Sequence, residues 1–247
     1  MNDLSESVRP EKLNLAMARL MGLAVFGEQV AARTYVQMAS LKPDFAPILR
    51  NFASMEGRHG SAFDRAARLN GVTPDRAFAQ GELGYLVEQV DEYHGQGDFE
   101  ALAVLQGFIV ESLAIATYEP FLDVADRYPG TREAFETALT DEKYHVDWVI
   151  RYLRLTFFDR GDAFVDLVGR VNSRGIDCVG GTMMNIADCL DSVGMSGAKC
   201  TGLLMDTYAH LLEDVGVDSS VATGNVISLF MPLMRKYRQA RKDRIAA

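Results

Sequence analysis

Two Glu-x-x-His pairs constrain this chain more than any other feature of its sequence. Glu56 precedes His59 by three positions, and Glu142 precedes His145 by the same interval. On an α-helix this spacing places a carboxylate and an imidazole on one face, one turn apart. A single pair often arises by chance, but each of these two lies in the middle of an apolar helical stripe. The pairs therefore predict one site that is shared by two helices.

Two further glutamates interrupt apolar stripes in the same way. Glu28 lies on the stripe of a predicted helix over about residues 11–40, and Glu111 lies midway along another over about residues 98–125. A carboxylate on a buried face is costly unless it is paired or binds a metal. For Glu28, a position at the edge of the stripe that reaches solvent is the alternative interpretation.

Together these residues match the ligand set of a di-metal carboxylate four-helix bundle. That set is Glu-x-x-His from two helices and one Glu from each of the other two. Four glutamates would also balance the charge of two divalent ions. We therefore predict two metal ions, with Glu56 and either Glu111 or Glu142 as bridging ligands. The six predicted ligands are Glu28, Glu56, His59, Glu111, Glu142 and His145.

Periodicity predicts an all-α fold: a four-helix bundle with additional C-terminal helices. The other two bundle helices are expected to end at about residue 70 and to span about residues 131–158, with a short helix near residues 83–93. Glycines between residues 161 and 200 predict short helical pieces, followed by helices over about residues 200–215 and 222–242. No low-complexity linker is present, so we expect one domain, with a bundle over about 10–158 and C-terminal helices over about 159–247.

Composition narrows the classes of function. The net charge of −9 argues against a nucleic-acid-binding protein. We expect no apolar run that reaches the roughly 18 residues of a membrane span, and the polar N-terminus lacks a signal-peptide core. We expect a cytoplasmic protein without a membrane span. Cys178, Cys189 and Cys200 form no Cys-x-x-Cys pair, and we expect them to be free thiols.

Four segments of the chain resemble one known family, the aldehyde-deformylating oxygenases, or fatty aldehyde decarbonylases, which are ferritin-like di-iron carboxylate proteins. The similar segments are Gly27-Glu28-Gln29, Met55-Glu56-x-Arg58-His59, Glu111 with Ala114-Ile115 and Tyr118, and Asp141-Glu142-x-x-His145.

The resemblance covers nearly the whole chain. It implies two iron ions, or a manganese–iron pair, and an enzyme that uses dioxygen and external electrons. The expected reaction converts a long-chain aldehyde to a hydrocarbon one carbon shorter and formate.

Two other functions remain open at this stage. One is a ferritin-like di-iron oxygenase or oxidase that acts on another apolar or amine substrate. The other, less favoured, is a ferroxidase or iron-storage protein. Storage would not need the additional C-terminal helices, and it would not need so many aromatic side chains in the bundle.

Further residues are candidates for roles around the metals. We predict that Asp141 accepts a hydrogen bond from His59, because a metal-bound His usually donates its other ring N–H. Tyr35 and Tyr118 each follow a ligand Glu by seven residues and could position a carbonyl or a water, with core packing as the alternative. An apolar substrate channel, again with core packing as the alternative, is predicted from Leu23, Ala24, Phe63, Leu113, Thr117 and Phe121.

The C-terminal tail contains a basic cluster in an acidic chain. We predict that it docks an acidic electron donor of the ferredoxin type. A solvated helix end, whose cations favour the negative end of the helix dipole, is the alternative. The cluster consists of Arg235-Lys236-Tyr237-Arg238, Arg241, Lys242 and Arg244.

Overall fold

The computed structural model of the protein describes residues 10–158 and 160–246, and these residues are helical apart from short connections. The helices are α1 (Pro10–Leu41), α2 (Ala46–Leu69), α3 (Arg76–Gly95), α4 (Phe99–Val104), α5 (Glu111–Leu122), α6 (Thr131–Thr156), α7 (Gly161–Ser192), α8 (Gly197–Val215) and α9 (Ser219–Ala246).

Four of these segments form a bundle around the predicted site. α1 packs along α2, α5 packs along α6, and α2 contacts α6. The inner faces carry the apolar stripes that the sequence predicts, and large side chains such as Tyr35, Phe52 and Phe63 are fully buried there. The predicted all-α architecture, a four-helix bundle with additional C-terminal helices, is therefore confirmed.

Side-chain caps account for where several helices begin. Asp75 Oδ1 accepts a hydrogen bond from the backbone N–H of Phe78 at 3.0 Å, at the start of α3. Asp98 caps α4 in the same way, through the N–H of Ala101 at 2.9 Å. Each cap satisfies a backbone donor that the first helical turn leaves without an intrahelical partner.

The third bundle helix contains an irregularity that periodicity did not predict. A π-helical turn over Leu105–Val110 joins α4 to α5 without a break. Gly107 lies within this turn and against α6, where an added Cβ would be 2.6 Å from Cγ1 of Val149. Glycine therefore allows the turn to approach α6 at a distance that no other residue permits.

The expectation of short helical pieces between residues 161 and 200 is wrong, because α7 is one helix of 32 residues. Each helical glycine costs about 1 kcal/mol relative to alanine. Burial of side chains such as Phe164, Val168 and Ile186 outweighs this cost, at about 1.5–3 kcal/mol for each large apolar side chain. Gly175 has a packing role, since a Cβ there would be 2.5 Å from Cδ1 of Ile109 in the π-helical turn.

The C-terminal helices share the hydrophobic core of the bundle. α7 packs across α1 and α3, α8 packs against α5 and α6, and α9 covers α7 and α8. The three cysteines on these helices are free thiols, as predicted. Burial raises the pKa of the Cys178 and Cys200 thiols to about 11.

Two helical segments are long and apolar enough to cross a membrane by length and composition alone: α1 and the continuous segment Phe99–Leu122. The expectation that no segment meets this criterion is therefore wrong. In Phe99–Leu122, 83% of the most apolar window is buried inside the fold. The core helix of a bundle passes the same test, because it is surrounded by other apolar helices.

Candidate metal centre

The structure brings the six predicted ligands together inside the bundle, and all six are buried. Their donor atoms form two overlapping groups, and within each group all donor atoms lie within 4.8 Å of one another. Glu56 and Glu142 belong to both groups, so these two carboxylates are the ones placed between the two positions. The first group is Glu28, Glu56, His59 and Glu142, and the second is Glu56, Glu111, Glu142 and His145.

Both imidazoles direct Nδ1 toward the centre of the cluster. His59 Nδ1 is 3.1 Å from Glu56 Oε2 and 3.3 Å from Glu28 Oε2. His145 Nδ1 is 3.0 Å from Glu56 Oε1 and 3.1 Å from Glu142 Oε2. The three-residue spacing within each pair places the carboxylate and the imidazole of one helix beside each other, as the sequence predicted.

The charge of the cluster fits a metal centre. Burial raises the pKa of Glu56 well above its usual range, and the negative charges of Glu28 and Glu111 raise it further. Burial and the neighbouring carboxylates, Glu111 first, raise the pKa of Glu142 in the same way. In the described residues, the ion pairs of these four glutamates involve histidine and neither lysine nor arginine. Divalent cations would supply the missing positive charge, and a set of carboxylates and imidazoles suits iron or manganese.

Asp141 lies where the sequence placed it, across the bundle from His59. Its Oδ2 is 2.9 Å from His59 Nε2. Burial lowers the pKa of His59, but hydrogen bonds to Glu28 and Asp141 outweigh this effect and leave the pKa raised. The Asp141 carboxylate favours the tautomer with a proton on Nε2, which leaves Nδ1 free to bind a metal.

The two predicted tyrosines contact ligand carboxylates directly. The Tyr35 hydroxyl donates to Glu111 Oε1 at 2.7 Å, and the Tyr118 hydroxyl donates to Glu28 Oε1 at 2.6 Å. Burial raises the pKa of both hydroxyls well above 10, and the adjacent carboxylates raise it further. Both tyrosines are therefore neutral hydrogen-bond donors that orient a predicted ligand.

Sequence reasoning missed Gln106, which also contacts the site. Its Nε2 donates to Glu111 Oε1 at 2.9 Å, the same oxygen that accepts from Tyr35. The side chain is completely buried, on the π-helical turn. A polar residue in the apolar run before Glu111 was the available signal, but its direction depends on the π turn.

An apolar cavity with about 590 Å³ of empty space, part of which is open to solvent, adjoins the predicted metal centre. Of the predicted channel residues, Leu23, Ala24, Leu113, Thr117 and Phe121 line it. Tyr118, which was predicted as a site residue near the metals, also lines it. The remaining lining residues come from α1, α3, the π-helical turn, α5, α6 and the segment from α7 to Met195, and sequence reasoning did not identify them: Leu20, Leu83, Val110, Ala114, Phe135, Thr182, Ile186, Leu190 and Met195.

Phe63 is the exception among the predicted channel residues. It lies outside the cavity lining and packs behind it, with ring centroids 5.2 Å from Tyr118 and 4.7 Å from Phe135. Its stripe faces the aromatic core between α2, α5 and α6, where it supports the ring of Tyr118. For this residue the structure shows core packing, which was the alternative interpretation.

Comparisons with known proteins agree with this geometry. Residues 10–228 match the model of the family described as long-chain fatty aldehyde decarbonylase. A solved structure described as "Protein 19 with aldehyde deformylating oxidase activity from Synechococcus" is similar to this chain, with 25% sequence identity and a TM-score of 0.78. The similarity covers 88% of this chain and 96% of that one. The chain belongs to the long-chain fatty aldehyde decarbonylase family.

Proposed function

We propose that this protein is a di-iron oxygenase that converts a long-chain aliphatic aldehyde to a hydrocarbon one carbon shorter and formate. One observation supports this function above the others: the apolar cavity reaches the metal centre at Tyr118. The Tyr118 ring lines the cavity, and its hydroxyl donates to the ligand Glu28. An aldehyde whose alkyl chain occupied the cavity would present its polar end at the ligands.

The six ligands would hold two iron ions, with a manganese–iron pair as the alternative. When bound, these ions would supply the redox chemistry by which external electrons reduce dioxygen. Balancing an aldehyde and dioxygen against a hydrocarbon, the formate anion and water requires four electrons and three protons. An electron donor is therefore an obligatory partner of the proposed reaction.

The residues of the chain bind and orient the substrate. The cavity walls are apolar and exclude water from the alkyl chain. Thr117 does not disturb this surface, because its hydroxyl donates to the carbonyl oxygens of Leu113 and Ala114, at 2.9 and 3.1 Å. Tyr35 and Tyr118 hold Glu111 and Glu28 in place as neutral donors. Tyr118 also lies at the boundary between the cavity and the ligands.

A ferredoxin-type protein is the proposed electron donor, and the proposed location is the cytoplasm. The docking site proposed from the sequence is the basic C-terminal cluster on α9. Arg235 is exposed. The side chains of the rest of the cluster, Lys236, Tyr237, Arg238, Arg241, Lys242 and Arg244, lie outside the described residues. The support for this docking site is therefore the charge of the sequence.

The test supplies the iron-loaded protein with dioxygen, a reducing system and linear aldehydes of about 8 to 18 carbons, a range comparable with the length of a bundle helix. The expected products are formate and a hydrocarbon one carbon shorter, in equal amounts. Oxygen consumption without formate from any aldehyde would instead favour an oxygenase or oxidase for another substrate. Uptake of many irons per chain without aldehyde turnover would favour iron storage, for which an apolar cavity has no use.

A further inference from the structure

A second cavity borders the same metal ligands from the opposite direction. It is a groove between α1 and α2 with about 920 Å³ of empty space, and both Glu28 and Glu56 contribute to its lining. We call it the α1–α2 groove. Its other lining residues are Val25, Gln29, Ala32, Gly57, Gly60, Ser61, Asp64, Arg65, Arg68 and Arg76.

Small residues keep the α1–α2 groove open beside the ligands. Gly57, Gly60 and Ser61 face it from α2, and Ala32 faces it from α1. A Cβ added at Gly57 would meet nothing within 4 Å. Longer side chains at these positions would fill the space beside Glu56. The groove therefore exists because these residues have small side chains.

The outer part of the α1–α2 groove is positively charged. It contains three guanidinium groups and one carboxylate, Asp64. Asp64 pairs with Arg68 and lies 4.0 Å from Arg76. This leaves a surplus of positive charge, which attracts small anions and repels metal cations. The charge therefore argues against a route for iron and favours a route for an anion.

Glu28 lies between two cavities of opposite polarity. On one side its Oε1 accepts a hydrogen bond from Tyr118, whose ring lines the apolar cavity. On the other side Glu28 lines the polar groove. The proposed reaction also has two products of opposite polarity, an uncharged hydrocarbon and the formate anion. Formate would lose its hydration without compensation if it left through apolar walls.

We propose that the α1–α2 groove is the exit for formate, and that the hydrocarbon leaves through the apolar cavity. This inference rests on the proposed function. Formate separates from the hydrocarbon at the ligands, passes Gly57 and Gly60, and reaches solvent past Arg65 and Arg68. The two products leave in different directions, so neither has to wait for the other.

The experiment compares formate that has formed with formate that has been released. In a single turnover, with the iron-loaded enzyme in excess over the aldehyde, acid quenching measures all formate, and a coupled formate dehydrogenase measures only free formate. The test variants are Gly57→Leu, which narrows the groove, and the double variant Arg65→Glu/Arg68→Glu, which reverses the charge of its outer part. Matched controls are Gly169→Leu, at an exposed glycine of α7 with open space around it, and Arg50→Glu, at an exposed arginine of α2 outside the groove.

In both test variants we expect total formate to form at the wild-type rate and free formate to appear about tenfold more slowly. The reason is that the changes alter the electrostatic or steric access of formate to a charged cleft. The controls should release formate as the wild type does. Release at the wild-type rate in both test variants, with normal metal content, would overturn the proposed exit. Absence of formate from the quenched wild-type reaction would instead overturn the proposed function, so the two failures are distinguishable.

Discussion

Gln106 and Glu111 are joined by two hydrogen bonds across the π-helical turn. The backbone N–H of Glu111 donates to the carbonyl of Gln106, and Gln106 Nε2 donates to Glu111 Oε1 at 2.9 Å. In a regular α-helix, residues five apart point about 140° away from each other and could not meet in this way. The π turn aligns them, as such turns often do at functional sites. A local irregularity therefore orients one of the predicted metal ligands.

Replacing Gln106 with leucine tests this role. Gln106→Leu removes a donor to Glu111 while it keeps an apolar side chain of similar size. We expect metal affinity to fall by about 10-fold, the lower end of the range for residues that orient ligands. The measurement is a metal titration of the apoprotein. The control is Gln89→Leu on α3, another fully buried glutamine, which should bind metal normally. Equal affinities in the two variants would contradict the role of Gln106.

The contact between Asp141 and His59 predicts a larger effect. Asp141→Ala removes the acceptor of the Nε2 proton, and we expect metal affinity or activity to fall by about 10- to 100-fold. Asp147→Ala, on the same helix, is the control because Asp147 is exposed and pairs only with Arg151 among the described ion pairs. Wild-type metal binding by Asp141→Ala would show that Asp141 does not orient His59.

Metal content tests the ligands themselves. Glu111→Ala and His145→Ala each remove one donor from the second group of ligands, so we expect fewer than two metal ions per chain after loading and desalting. Elemental analysis provides the measurement. His210→Ala, at an exposed histidine of α8, should retain the wild-type content. Two tightly held ions in either ligand variant would rule that residue out as a ligand.

A separate cluster predicts how stability depends on pH. Glu100 accepts hydrogen bonds from Lys42 at 2.8 Å and from Tyr152 at 2.5 Å. Partial burial raises the pKa of Glu100, but these hydrogen bonds outweigh it and leave the pKa lowered. The cluster should therefore stabilise the fold above the unfolded-state pKa of Glu, about 4.3. This stabilisation should disappear as the pH falls through the lower folded-state pKa.

The variant Glu100→Gln measures that contribution. At pH 7 we expect the variant to lose about 1 kcal/mol in the free energy of unfolding, a typical value for a partly exposed charged hydrogen bond. The difference from wild type should approach zero in strongly acidic solution, where Glu100 is protonated in both states. Urea unfolding across this pH range provides the measurement. A difference that does not change with pH would contradict the assigned charge interaction.

Filling the apolar cavity tests its role in substrate binding. Ala24→Phe places an aromatic ring among the lining residues, so we expect turnover to shift toward shorter aldehydes. A series of chain lengths under one set of conditions provides the measurement, and the shortest aldehydes act as the internal control. A uniform loss across the series would indicate damage to the fold, and an unchanged series would show that the alkyl chain lies elsewhere.

The geometry of the α-helix explains why the ligands could be predicted from the sequence. A spacing of three residues brings Glu56 beside His59, and Glu142 beside His145, in any α-helix. A carboxylate in an apolar stripe needs a cation wherever that stripe is buried. The predicted ligands, and with them the bundle, therefore follow from periodicity and from the cost of buried charge. The family resemblance added the reaction.

Other features depend on contacts between segments that are distant in the chain. The packing of Gly107 against Val149 accompanies the π turn that directs Gln106 toward Glu111. Helix propensity does not predict that contact. The glycines of α7 predicted a broken segment, but burial against α1, α3 and the π turn keeps it helical. The cavity walls combine residues of five helices, and the α1–α2 groove exists only where two helices face each other with small residues. Such surfaces depend on how different helices pack against each other. The Glu-x-x-His pairs depend only on the geometry of a single helix.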